Sequence, residues 1–193
     1  MSEFLVEHLK LKSFAEIVSF DKPFVLCRSG LISEVPSTYK LYYSDKANLV
    51  VMSGDSQPRS TGELYDLCNR ILDLTSEVGQ MQRVYTCGGY HREEIRGEPR
   101  VFGVSNNPDL FRELDKLGIR EIGSEVSSIT WFNGVILGVA KRRGIDGVGL
   151  YGELKNPEEP QPDAAKVVLK ALTTLLSLPE IQREREEQEG KLV

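Results

Sequence analysis

Apolar positions along the chain recur at helical spacing in a few long stretches and at strand-like density in several short ones. Residues 2–10 (SEFLVEHLK) predict a short helix with Phe4, Leu5 and Leu9 as its stripe and Ser2 as its cap. Two apolar runs, 14–20 (FAEIVSF) and 24–27 (FVLC), read as strands parted by Asp21-Lys22-Pro23. Residues 39–44 and 48–53 flank Asp45-Lys46-Ala47 as a hairpin. The run Leu49 to Met52 is apolar at four consecutive positions, which predicts a strand covered on both faces, as in a parallel sheet. A long helix follows from Ser60 to Val78, with Leu64, Leu67, Cys68, Ile71 and Leu74 inward and Gly79 as its stop.

The second half alternates strand and helix. Residues 83–87 (RVYTC) predict a strand, 91–100 a polar loop, and 101–105 (VFGVS) a strand. Asn107-Pro108 opens a helix that runs to Leu117, and residues 119–122 form a brief strand. Residues 129–143 predict a core-facing helix, 147–153 (GVGLYGE) a strand, and 163–178 an amphipathic helix with Ala165, Val168, Leu169, Leu172 and Leu176 inward. This alternation predicts an α/β fold: one domain over 1–178, with a mixed, mostly parallel sheet and helices on both faces. Residues 179–193 are charged, lack an apolar stripe and read as a tail.

Composition narrows the function. The chain has 193 residues, 40% hydrophobic and 27% charged, enough to bury a core. A net charge of −5 argues against a broad nucleic-acid footprint. No apolar run reaches the roughly 20 residues a membrane span needs. The N-terminus does not read as a signal peptide, and Cys27, Cys68 and Cys87 are odd in number and far apart. A reduced, cytoplasmic setting without structural zinc is expected.

Candidate chemistry gathers at three strand ends, where open α/β sheets bind ligands. The first carries Gly54, Asp55 and Gln57, the second Gly88, Gly89 and Tyr90, and the third Gly152 and Glu153. On parallel strands these loops open on one edge. The glycines there let backbone amides approach a ligand, while Asp55 and Glu153 serve as an acid/base pair or bind a cation. Taken singly, each residue is better explained as turn geometry or a helix cap. No GxGxxG or GxxxxGK[ST] motif supports a nucleotide site. His8 and His91 read as surface residues and Cys87 as a small buried hydrophobe. Trp131 reads as core or interface, and Gly134 and Gly138, four apart, as points of close helix packing on the sheet or on another subunit. The Lys141, Arg142 and Arg143 cluster suits a helix C-terminus.

Several pieces in order resemble the proteasome assembly chaperone 2 family: GDSQP (54–58), CGGY (87–90), VFGVSNNPDLFRELDKLGI (101–119), ITWFNGVILGVAKRRGI (129–145), GLYGE (149–153) and PDAAKVVLKAL (162–172). The resemblance runs from about residue 2 to 178. It implies a fold similar to nucleoside-phosphorylase-like domains and a self-associating, archaeal-type factor that helps assemble proteasome α-subunits. Two departures stand out. The family's opening strand and glycine-rich loop (GFPGxGLVG) are absent before Ser2, as expected of a late start or a shortened member. The chain ends Lys191-Leu192-Val193 without the penultimate tyrosine that docks some members on the α-ring.

Two functions are therefore expected from different classes. The first is a non-enzymatic homo-oligomeric assembly factor acting by protein–protein recognition. It needs no cofactor, metal or catalytic residue, and its partners are itself and proteasome α-subunits or a related family member. The helix 129–143, with Trp131, Gly134 and Gly138, and the acidic tail are its expected contacts. The second is a small-molecule or nucleotide-binding enzyme with Asp55, Gln57, Gly88, Gly89, Tyr90 and Glu153 lining the site.

Overall fold

The computed structural model describes residues 1–95 and 97–178. Among the described residues, five helices and nine strands follow one another as α1 (Ser2–His8), β1 (Lys12–Ser19), β2 (Leu26–Arg28), β3 (Leu31–Ser33), β4 (Ser37–Ser44), β5 (Leu49–Gly54), α2 (Thr61–Val78), β6 (Arg83–His91), β7 (Val101–Ser105), α3 (Pro108–Lys116), β8 (Arg120–Glu121), α4 (Trp131–Arg142), β9 (Asp146–Leu154) and α5 (Pro162–Leu175). The class is α/β. Contacts group the chain into two compact units, one of residues 1–81 and 130–139, the other of 82–129 and the chain from 140 onward.

In the first unit, β1, β4 and β5 form an antiparallel sheet in that order. The β4–β5 hairpin forms where Asp45-Lys46-Ala47 predicts it, with Ser44 opposite Leu49 and Asn48 in the left-handed region at φ 46°. The parallel reading of β5 is thus corrected. Its apolar run packs only Val51 fully, and its one ladder is antiparallel to β4. α1 packs on β5, burying Leu5. Its cap is Met1, and the Ser2 hydroxyl instead donates to the Ser53 hydroxyl at 3.5 Å. The predicted helix from Ser60 is α2. Ser60 Oγ accepts from the Glu63 N–H at 3.2 Å and donates to the Glu63 carboxylate at 2.6 Å. Leu64, Leu67, Cys68, Ile71 and Leu72 turn inward.

The run 24–27 contributes only the start of a hairpin that the sequence reading missed. β2 and β3 pair antiparallel, with Arg28 opposite Leu31. Ser29 and Gly30 form its two-residue tip at φ 50° and 80°. Positive φ at both central positions is the type I′ turn that matches strand twist.

In the second unit, four strands take the order β6-β9-β7-β8. β6 runs parallel to β9, β7 antiparallel to β9, and β8 parallel to β7. The mixed sheet is as expected, with β9 central and buried from Gly147 to Glu153. α3 opens at Asn107, whose side chain accepts from the Asp109 N–H at 3.0 Å, with Pro108 in the first turn. α5 covers β9 and β7. It buries Ala164, Val168, Leu169 and Leu172, so Ala164 rather than the expected Ala165 faces inward. Its backbone lies too close to β9 for anything larger. A Cβ on Gly152 would stand 2.6 Å from the Ala164 carbonyl oxygen.

Candidate functional site

The sequence-predicted residues fall in both units, and each group has its own local chemistry. Asp55 and Gln57 follow β5. The Asp55 N–H donates to the Thr38 carbonyl at 3.3 Å, and Asp55 Oδ1 accepts from the Thr38 N–H at 3.3 Å. Ser56 Oγ lies 2.9 Å from Asp55 Oδ1 and 2.7 Å from Ser37 Oγ, and Ser37 Oγ donates to Asp21 Oδ1 at 2.6 Å. Two carboxylates, Asp21 and Asp55, are thus bridged by two serines across the β4–β5 end. The Tyr39 hydroxyl is buried beside this network without a hydrogen bond of normal geometry. Burial, then the Asp21 charge, pushes its pKa up. Gly54 serves packing here: a Cβ would stand 2.6 Å from the Tyr39 ring.

Gln57 has a specific structural task. Its side-chain oxygen accepts from the Phe132 N–H at 3.1 Å. That N–H belongs to the first turn of α4, whose amides lack intrahelical partners. Trp131, at the helix start, sits at φ 58°, an uncommon conformation for a bulky residue. Trp131 is 54% exposed. Gly138 is also exposed, and a Cβ there would meet open space. Gly134, between them in sequence, is half-buried.

In the second unit the predicted residues lie inside β6 and β9 rather than in loops beyond them, and the parallel ladder sets them side by side. Gly88 pairs with Tyr151, Gly89 with Gly152 and Tyr90 with Glu153. A Cβ on Gly89 would run into Leu154 Cδ2, a movable side-chain tip. Glu153 is 1% exposed. Arg100 grips it in a fork, Nε to Oε2 at 3.1 Å and Nη2 to Oε1 at 2.9 Å, and the Arg100 N–H adds a third bond at 3.0 Å. Arg92 Nη1 stands 3.5 Å from Oε1. The Arg100 hydrogen bond is the main cause that holds the Glu153 carboxyl below its ordinary range, against the opposing effect of burial. This carboxylate is an anchor that ties the polar loop before β7 to β9. It stays ionised at neutral pH, and a ligand there must displace an arginine.

Aromatic rings line the same cluster. Tyr90 and Phe102 meet edge-to-face with centroids 5.1 Å apart. Arg92 lies 5.8 Å from the Tyr90 centroid and 5.7 Å from that of Phe102, and Arg100 lies 5.5 Å from Phe102. The Tyr90 hydroxyl donates to Glu125, which raises the phenol's pKa and lowers the carboxylate's. Sequence reasoning missed Asp21, Ser37, Arg92, Arg100 and Glu125. Each acts through a partner remote in the chain, and no local motif marks it.

The remaining candidates carry little chemistry. His8 Nδ1 lies 2.9 Å from the Phe4 carbonyl oxygen, with its ring stacked on Phe4. His91 is exposed at the end of β6. Burial pushes the Cys68 and Cys87 thiols up to about 12, so neither is a thiolate at neutral pH. Among the described residues no group of three or more His, Cys, Asp or Glu is placed to hold a metal ion. Among them, too, no helix is long and apolar enough to cross a membrane. The expected tail contact at 179–193 lies outside the described residues.

Comparison with known proteins places this arrangement. The crystal structure of Pyrococcus furiosus PbaB, an archaeal proteasome activator, is 29% identical and superposes with a TM-score of 0.74 over 99% of this chain and 84% of that one. The structure of P. furiosus PbaA, an archaeal homologue of proteasome-assembly chaperone, shares the fold at 22% identity, with a TM-score of 0.72 over 99% of this chain and 82% of its own. The Methanocaldococcus jannaschii protein MJ1210 is 29% identical over 192 residues, 98% of this chain and 72% of that protein. The PAC2 family profile matches residues 1–191, taking in the strand-end loops, α4 and the β9–α5 pair that carry the resemblance seen in the sequence. The chain therefore belongs to the PAC2 family.

Proposed function

We propose that the chain is a chaperone-type factor that self-associates and recognises proteasome subunits through its surface, without making or breaking bonds. The observation that carries this reading is the likeness to PbaB at 29% identity over 99% of the chain, within a family match of nearly full length. The local chemistry agrees with it. Gln57 caps a helix and Glu153 anchors a loop, so the best-placed polar residues have structural work. Trp131 and Gly138 leave part of α4 open to solvent, as a contact surface would.

Native mass spectrometry tests the proposal, with the chain alone and mixed with proteasome α-subunits from the same source. A defined complex with free α-subunits is the expected result. Capture of the assembled particle alone shifts the role from assembly to activation. No complex with either form overturns the proteasome reading.

A second reading, a small-molecule site, is favoured by one observation: the buried Tyr39 hydroxyl unpartnered beside the Asp21–Ser37–Ser56–Asp55 network. A small-molecule mass retained by the native protein and lost in Asp55→Ala, with the fold intact, supports it. If Asp55→Ala only lowers stability, Asp55 is a turn residue.

A further inference from the structure

The β2–β3 hairpin is built unlike the rest of the first unit. All six of its strand residues are exposed, so neither of its faces is covered. Leu31 is 74% and Ile32 72% exposed. Phe20, Phe24, Val25 and Leu26 beside them are also exposed large apolar residues. Together they present on the order of 600 Å² of apolar side chain, at the upper end of the largest patch on an ordinary monomer. Among the described residues each strand pairs only with the other, leaving both outer edges with unpaired backbone groups. A two-stranded ribbon with both faces wet is marginal on its own.

We propose that this hairpin is the seam between copies of the chain, with the hairpin of a second copy as its occupant. Three features select a copy of itself. The first is charge. Between Phe20 and Pro36 there are two acidic residues, Asp21 and Glu34, and two basic ones, Lys22 and Arg28. Asp21 is taken up by Ser37, and Lys22 Nζ donates to the Pro36 carbonyl at 3.1 Å. That leaves Arg28 and Glu34, one of each sign, exposed on a ribbon of zero net charge in a chain of −5. Two such ribbons offer each other an ion pair, Arg28 to Glu34. The second is area. Leu31 and Ile32 point to opposite faces of the ribbon, so a second copy laid on one face buries about half of this patch on each chain, about 600 Å² in all, and the edge pairing and flanking residues supply the rest of an interface. The third is geometry. Pairing two hairpins through an outer edge makes a four-stranded sheet and satisfies the open backbone groups of both. The inference rests on the self-association proposed above and not on the proteasome partner.

The test is sedimentation velocity on the purified full chain and on Leu31→Lys/Ile32→Lys, with labelling of Cys27. This exposed thiol lies at the centre of β2. The expected result is an oligomer for the parent chain and a fall to the 21.7 kDa monomer for the double variant. The circular dichroism spectrum of the monomer should be retained, since both side chains are solvent-exposed within one chain, while its Tm falls to a concentration-independent value. Cys27 should label slowly in the parent and fast in the variant. An oligomer that survives the double substitution overturns the seam while leaving self-association intact. Dissociation by Gly138→Leu but not by the hairpin variant moves the seam to α4 and overturns it as well. A monomeric parent chain overturns both self-association and the seam. A monomer whose Cys27 becomes reactive only on removing residues 179–193 assigns the hairpin's cover to the chain's own tail. A monomer whose hairpin variant loses α-subunit capture assigns it to that subunit.

Discussion

Gln57 and Phe132 are joined by a 3.1 Å hydrogen bond across 75 positions of sequence. The bond gives α4 the cap that its abrupt, left-handed entry at Trp131 leaves open. Gln57→Ala should cost about 1 kcal/mol, the usual effect of losing a helix cap. Gln57→Glu should keep the bond and add a favourable charge at the helix start, holding stability level or raising it by about 0.5 kcal/mol. Urea unfolding of both variants decides the matter. Equal losses in the two would deny the capping role.

Glycine substitutions should separate by what their Cβ meets. On Gly152 the obstacle is the α5 backbone, which cannot yield without moving the helix, so Gly152→Ala should destabilise by about 2 kcal/mol or more. Gly62, near the start of α2, faces open space at ordinary φ, so Gly62→Ala should stabilise by roughly 0.5–1 kcal/mol. Thermal melts of the pair should move in opposite directions.

The Glu153–Arg100 fork predicts an acid dependence of definite sign. Arg100 lowers the carboxyl's pKa in the folded chain, so the stabilisation is fully present above the ordinary value of 4.5 and is lost as pH falls below it. Glu153→Gln should unfold about 1–3 kcal/mol more easily at neutral pH, because the arginines lose their anion. It should also lose less stability than the parent between pH 5 and about pH 3. Parallel pH profiles would falsify the fork as an acid-sensitive contact.

Thiol reactivity should follow burial. Cys68, fully buried and held up to about 12, should resist a thiol reagent at neutral pH in the native protein and react once urea unfolds it, while half-buried Cys87, its thiol also pushed up to about 12, should react slowly. Rapid native reaction of Cys87 would reopen it as a nucleophile.

The sequence was most legible where the determinants are local. α2 and α3 announce themselves through Ser60 and through Asn107-Pro108, and the expected α2 stripe is buried at Leu64, Leu67, Cys68 and Ile71, with Leu72 buried in place of the half-buried Leu74. VFGVS is β7 from end to end. β5 misled because an unbroken apolar run fixes neither pairing direction nor burial: only Val51 of the run is fully buried, and its partner β4 runs the other way. The β2–β3 hairpin was missed because three-residue strands exposed on both faces show no alternation. Ser29-Gly30 was the one signal in the sequence. At the candidate site, the strand-end cluster of Gly88, Gly89, Tyr90 and Glu153 was readable as a group. The groups that decide its chemistry were not, since Arg100 sits 53 positions before Glu153 and Glu125 sits 35 after Tyr90.

The order of strands in the second unit also sets when that unit can form. β9 lies between β6 and β7, yet it follows both in the chain and is the last strand among the described residues. A ribosome finishes β6 and β7 before it makes the strand that joins them. The wait from the end of β7 to the end of β9 is on the order of several seconds at ordinary synthesis rates. During that interval the nascent chain carries two strands without their common neighbour, so the window for mispairing closes only when residues 146–154 emerge from the exit tunnel.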